Sequence, residues 1–209
     1  MSQAMLRSLF LATGLLLALP LPAADQPPMY DVEVLVFSRP SADAQGERWP
    51  DRSELALREE SEGARRLAPP SAAGKAFHRL PTDALRLKRE HDRLLAADTF
   101  EPILHVGWVQ PGLAREQSVP VHIEGGSETG GSVDGTLRVI LSRYLHVEAD
   151  LRYQRPEDIR MEALESDIFQ APQPLFRLKE SRRMRSKEVH YLDHPLFGAV
   201  VLITPREVP

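Results

Sequence analysis

The chain of 209 residues carries 26 basic and 30 acidic side chains, seven histidines and no cysteine, for a net charge of −4. Without cysteine there is no disulfide framework, no thiolate catalysis, no cysteine zinc site and no lipid-modified cysteine, so folding rests on a packed core. The mildly acidic balance argues against sequence-independent nucleic-acid binding, which depends on neutralising phosphates.

Residues 1–24 read as a secretory signal peptide. Met1 to Arg7 carry one positive charge, Ser8 to Leu21 are almost wholly apolar, and Pro22-Ala23-Ala24 ends in small residues. This run, broken by Pro20 and Pro22, is too short to cross a hydrocarbon layer of about 30 Å as a helix, and no second apolar stretch follows. Cleavage is expected near Ala24, which removes Arg7 alone among the charged residues and leaves 25 − 30 = −5. Residues 25–209 are then expected to form one soluble, exported domain, large enough to bury a core unaided.

Met29 to Phe37 is the first expected strand. Tyr30, Val32, Val34 and Val36 alternate, while Leu35 and Phe37 lie on the opposite side, so the strand is expected to be central and covered on both faces. Ser38 to Pro81, rich in Ala, Glu, Arg, Ser and Pro, reads as a flexible connection holding one short helix near Arg52 to Arg66. Thr82 to Ala97 is expected to be the best helix, capped by Thr82, with Ala84, Leu87, His91, Leu94 and Leu95 on one face. Strands follow at Ile103 to Gln110 and Ser118 to Ile123. Glu124 to Gly135 is glycine-rich but lacks the Gly-Lys-Ser/Thr ending of a phosphate loop, so it reads as a flexible hairpin connection.

Residues 136–153 keep a period of two, with Leu137, Val139, Leu141, Leu145, Val147, Ala149, Leu151 and Tyr153 on one face and only Arg143 interrupting. No Gly, Pro or Asn lies inside the run, which therefore reads as one long, bent strand. Phe176 to Leu192 is its expected antiparallel partner, Asp193-His194-Pro195 the turn, and Phe197 to Thr204 the closing strand. The expected fold class is α+β: mainly antiparallel sheet with a long C-terminal meander, and the helix packed on one face.

Several pieces together resemble the CsiV family of exported peptidoglycan-binding proteins of Gram-negative bacteria. They are Tyr30 to Phe37, Glu47-Arg-Trp-Pro50, His105-Val-Gly-Trp108, Ser142-Arg-Tyr-Leu-His146 and, most specifically, the long block from Glu180 to Gly198. The resemblance implies periplasmic residence and binding to the cell-wall polymer. It further implies support of a bifunctional penicillin-binding synthase through that enzyme's outer-membrane lipoprotein activator. It carries no established binding residues over to this chain, and implies no cofactor.

The residues themselves suggest a site. If Phe176 to Lys187 is extended, Arg177, Lys179, Arg183, Arg185 and Lys187 share one face and Arg182 the other. Such a row suits the carboxylates of peptidoglycan stem peptides, but equally suits solvated charges guarding a sheet edge, with Glu180 and Glu188 nearby. Arg143 on an apolar face calls for a carboxylate partner or a groove. Tyr144 and His146 share the face opposite the apolar one, and Trp108 fits either a sugar-stacking platform or the core. The candidate peptidoglycan-binding residues are therefore Arg143, Tyr144, His146, Arg183, Arg185, Lys187 and Trp108.

His190-Tyr-Leu-Asp-His194 raises a metal reading, yet spacing of four suits a helix and here spans a strand end and a turn, so a turn fixed by Asp193 is the simpler account. No Gly-x-Ser-x-Gly, partnered Ser-x-x-Lys or His-Glu-x-x-His occurs. A non-catalytic wall-binding protein is thus the leading expectation. The alternatives are a peptidoglycan hydrolase with an unrecognised carboxylate pair and a pure protein adaptor whose sheet edge recruits a partner strand.

Overall fold

A computed structural model describes residues 26–40, 63–71, 75–156 and 175–207. The expected leader and residues 41–62 and 72–74 of the Ser38 to Pro81 connection, including Glu47 to Pro50, lie outside these residues. Among the described residues, no helix is long and apolar enough to cross a membrane.

Among the described residues the fold is mostly antiparallel sheet, with one α-helix lying wholly within them. The strands are β1 (Met29–Ser38), β2 (Arg65–Arg66), β3 (Glu101–Pro111), β4 (Val121–Ser127), β5 (Gly131–Leu141), β6 (Leu145–Gln154), β7 (Phe176–Met184), β8 (Val189–Asp193) and β9 (Phe197–Arg206), and helix α1 spans Lys88–Leu95. They form two sheets, β3-β1-β9-β8 and β2-β4-β5-β6-β7, in which only β2 and β4 run parallel.

Alternation along β1 explains how the sheets meet. Val32, Val34 and Val36 stand beside Trp108, Val106 and Leu104 of β3 and beside Ile203, Val201 and Ala199 of β9. All but Leu104 are buried in one cluster with Leu137, Val139, Val147, Leu151 and Leu178 of the other sheet. One apolar core therefore fills the space between two facing sheets, as the period of two in both demands. The odd-numbered side of β1 faces the other way, where Leu35 and Leu202 receive Leu87 of the helical segment, and Leu80 and Leu85 pack on Val109. Gly107 permits that approach: a Cβ there would lie 2.8 Å from Leu85 Cδ2.

The expected central β1, covered on both faces, is present. Other expectations need correction. The helix expected over Thr82 to Ala97 is a 3-10 turn at Thr82–Ala84 followed by α1, because Leu85 is extended at ψ 137°. Thr82 makes no side-chain cap, and Leu95 is exposed instead of packed. Most of the short helix expected near Arg52 to Arg66 lies outside the described residues, but part of the supposed flexible connection is anchored: Arg65–Arg66 is a strand, and Leu67 and Phe77 pack against the core. Leu80 N donates to Gly107 O at 2.7 Å, which ties this segment to β3.

The glycine-rich stretch is ordered ladder, with Glu124 opposite Asp134 and Gly126 opposite Ser132. Gly131 turns it at φ +85°, where a Cβ would meet Gln154 O at 2.3 Å. Residues 136–153 are not one strand but the β5–β6 hairpin. Its three-residue turn places Leu141 opposite Leu145, so the apolar parity passes through unbroken. Arg143 interrupts the pattern because it sits in that turn. Phe176 to Leu192 likewise divides: β7 ends at Met184, Lys187 adopts φ 66°, and β8 belongs to the other sheet. Arg182 Nη1 donates to Tyr191 O at 2.7 Å and links β7 to β8 across that side.

Candidate functional site

The outer face of the second sheet is the polar counterpart of its apolar inner face. Register aligns Asp134, Arg152 and Arg177 in one row, Thr136, Asp150 and Lys179 in the next, then Arg138, Glu148 and Ser181, and finally Ile140, His146 and Arg183. Opposite charges on adjacent strands pair at this spacing. Arg177 donates from both Nε and Nη2 to Asp150, with the Nε to Oδ1 distance 2.7 Å, and Lys179 Nζ lies 3.7 Å from Asp150 Oδ2. Arg115 Nη1 is 2.6 Å from Glu148 Oε1, and Arg138 Nη1 is 3.9 Å from Oε2. Arg138 is fixed further by Ser118 Oγ at 2.8 Å and by the Arg115 carbonyl. These rows thus neutralise Arg177 and Lys179, two members of the basic row read from the sequence.

The last row differs. His146 stands directly opposite Arg183, and the β5–β6 turn beside it carries Arg143 and Tyr144. Tyr144 is 45 % exposed. Arg183 Cζ lies 4.9 Å from its ring centroid and Arg143 Cζ 5.6 Å, so two guanidiniums flank one solvated aromatic ring. Neither arginine has a carboxylate partner among the described residues. His146 Nδ1 lies 3.1 Å from the Tyr144 carbonyl oxygen, which ties the imidazole to the turn. Next to this tip the sheet hollows into a groove of about 400 Å³ lined by Pro120, Thr136, Arg138, Glu148, Asp150 and Lys179, with Glu180 and Ser181 at the β7 edge.

Residues 8–206 match the profile of the CsiV family, described as peptidoglycan-binding protein. The chain belongs to the CsiV family. No curated protein and no solved structure matches it.

In this CsiV protein, four of the seven residues singled out from the sequence, Arg143, Tyr144, His146 and Arg183, come together at the tip. Arg185 follows directly at the same end of β7 and approaches Glu188 at 3.6 Å. Lys187 is exposed, but its backbone bonds to Ile203 O of the other sheet, away from the β6 ladder. Trp108 corrects the sugar-stacking expectation. It is fully buried in the core and donates from Nε1 to Gln110 Oε1 at 2.7 Å, so no wall sugar reaches its face.

The His190 to His194 segment is a strand end and turn. His190 Nε2 accepts from Arg185 N, while His194 Nδ1 accepts from Leu196 N. Asp193 is held by Arg39 at 2.8 Å and by the Tyr191 hydroxyl at 2.5 Å, bonds that keep its carboxyl below the usual range. Burial, reinforced by the bond to Asp193, pushes the Tyr191 phenol up to about 12. Burial against Phe197 and Phe176 lowers the His194 imidazole to about 4. Among the described residues, the metal-capable trio is instead His122, Glu124 and Asp134, whose ligand atoms lie within 4.8 Å of one another. Its carboxylates already face Arg66 at 3.7 Å and Arg152 at 3.7 Å.

A second polar cluster, which the sequence reading did not find, lies on the outer side of β1. Glu33, its side chain 2 % exposed, accepts from Leu87 N at 2.7 Å and Arg86 N at 2.8 Å, and lies 2.7 Å from His105 Nε2. Burial alone would raise its carboxyl, but these bonds prevail and hold it below the usual range. Asp31 meets Arg86 at 3.1 Å and Arg206 at 3.6 Å. This cluster takes the place of the helix cap and breaks the helix at residues 85–87. The sequence signal was present in the charged Asp31 and Glu33 of an otherwise apolar strand.

Proposed function

We propose that this protein is a non-catalytic periplasmic module that binds peptidoglycan through the tip formed by Arg143, Tyr144, His146 and Arg183, with Arg185 at its margin. We further propose that it supports wall synthesis by a bifunctional penicillin-binding protein through that enzyme's outer-membrane lipoprotein activator. Membership of a peptidoglycan-binding family supports the ligand. The observation that carries the surface is the exposed Tyr144 ring between two guanidiniums that have no carboxylate partner among the described residues. An aromatic face beside exposed guanidinium forks suits a polymer of sugar rings and carboxylates: the ring stacks, and each fork donates two parallel bonds.

Pull-down on purified sacculi tests this reading. The parent protein is expected in the insoluble fraction at moderate salt. Tyr144→Ala combined with Arg183→Gln is expected to reduce retention at least tenfold with circular dichroism unchanged. Retention of that variant at the parent level across a salt series would sink the surface assignment, and no retention of the parent would sink the binding reading itself. Soluble fragments released from sacculi, and lost on changing one groove carboxylate, would instead establish the hydrolase alternative.

A further inference from the structure

We infer that the groove beside the tip is a separate subsite for a short peptide bearing both a free amine and a free carboxylate, and that in the wall its occupant is the stem peptide and not the glycan. The inference starts from charge. The groove is lined by two cationic side chains, Arg138 and Lys179, and two anionic ones, Glu148 and Asp150, while Glu180 alternates to the opposite face and pairs with Arg182 at 2.9 Å. They are ordered across the sheet: Arg138 on β5, Glu148 and Asp150 on β6, and Lys179 on β7. A polyanion would face two carboxylates, and a neutral sugar would weaken ion pairs without replacing their charges. A ligand carrying both signs exchanges partners with the existing pairs, its ammonium meeting the β6 carboxylates while its carboxylate meets a cation at either side, so no charge is left uncompensated.

Shape and rigidity agree with this chemistry. Thr136 and Ser181 are the small members of their rows, and the hollow forms between the larger side chains around them. The groove crosses from β5 to β7, about 10 Å at the usual strand separation, which is the reach of three extended residues. Arg138 is held from two further directions, by Ser118 Oγ and the Arg115 carbonyl, so its guanidinium is in place before a ligand arrives. Lys179, 64 % exposed at its side chain and 3.7 Å from Asp150, is the solvent-facing cation placed to meet an incoming carboxylate.

Peptidoglycan as the source of this ligand follows from the wall-binding reading, whereas the charge pattern of the groove does not depend on it. Isothermal titration of the purified protein with three probes separates the two. The probes are a synthetic tetrapeptide with one free side-chain amine and free carboxylates, the same peptide with that amine acetylated, and a chitin tetrasaccharide. The free-amine peptide is expected to bind saturably, acetylation to weaken it at least tenfold, and the tetrasaccharide not to compete. Ser181→Trp, at an exposed position, fills the hollow without touching an ion pair and is expected to abolish peptide binding, while Lys179→Ala weakens it several-fold. Equal affinity for the acetylated peptide, undiminished binding by Ser181→Trp, or competition by the tetrasaccharide overturns the inference. Absence of peptide binding at millimolar concentration by a protein that is still retained on sacculi overturns it too, and leaves the wall-binding reading standing.

Discussion

The two outer faces of this sandwich start from the same alternation and end differently. On the first sheet, the side of β1 that carries Asp31 and Glu33 lies under residues 80–95, and its carboxylates are spent on backbone N–H groups, His105 and Arg86. On the second sheet no such layer covers the β5–β7 rows among the described residues, and the carboxylates pair across strands in contact with solvent. Covering turns charge into architecture, because a buried carboxylate must be satisfied from every side. A pair whose partners both reach solvent, as Arg115 and Glu148 do, keeps its charge available for exchange with a ligand.

The largest expected break in this contrast is Glu33→Ala. It strips Arg86 N, Leu87 N and His105 of their shared acceptor, and loss of one partner from a buried charged pair costs about 3–5 kcal/mol. Glu148→Ala, with its carboxylate about a third exposed, is expected to cost no more than about 1 kcal/mol. Urea denaturation measures both, and equal losses would erase the distinction between the faces.

Acid sharpens the comparison further. The His194 imidazole has a folded value of about 4 against an ordinary value of 6.5, so between these limits the unfolded chain takes up a proton that the folded chain does not. Its contribution is complete above about pH 6.5 and is lost as pH falls toward 4, on the order of 3 kcal/mol in all. Glu33, also depressed, adds stability above its ordinary value that is lost only as pH falls through its lower folded value. Stability measured from pH 7 to 4 should therefore decline in the parent and stay flatter in His194→Asn, whose side-chain oxygen can still accept from Leu196 N. A parallel decline in both would remove His194 from the account.

Smallest in stability, Arg183→Gln on the open face is expected to shift unfolding by no more than about 0.5 kcal/mol. Thermal denaturation reads that shift. A loss comparable to that of Glu33→Ala would make the tip structural and deprive it of the freedom a binding surface needs.

What could be read from the chain follows the same division. β1, β3 and β9 were legible because they are apolar or strictly alternating and run between clear breakers. The β5–β6 hairpin was not, since a three-residue turn preserves parity and Leu141 meets Leu145 as though the strand had continued. The break in the helix depends on Glu33, about 50 positions away, and no local pattern encodes such a cap. Tyr144, His146 and Arg183 were singled out by alternation alone, and the register brings His146 opposite Arg183. Trp108 failed because a strand tryptophan looks the same whether its face meets sugar or core. The groove residues Arg138, Glu148 and Asp150 lay on the polar side of the very run that was read for its apolar side, and only the register shows which charges they neutralise.

The place of β1 in its sheet has a further consequence, for how the chain is made. Among the described strands, β1 is synthesised first and lies between β3 and β9, and β9 is synthesised last. Vectorial emergence, from a ribosome or any pore, therefore leaves an apolar ten-residue strand half-paired until residues 197–206 follow it. Contacts this distant in sequence form slowly, and until they form the free edge of β1 is open to other chains. Residues 197–206 are thus the latch of the fold, and a nascent chain stopped before them presents the sticky edge that the folded molecule hides.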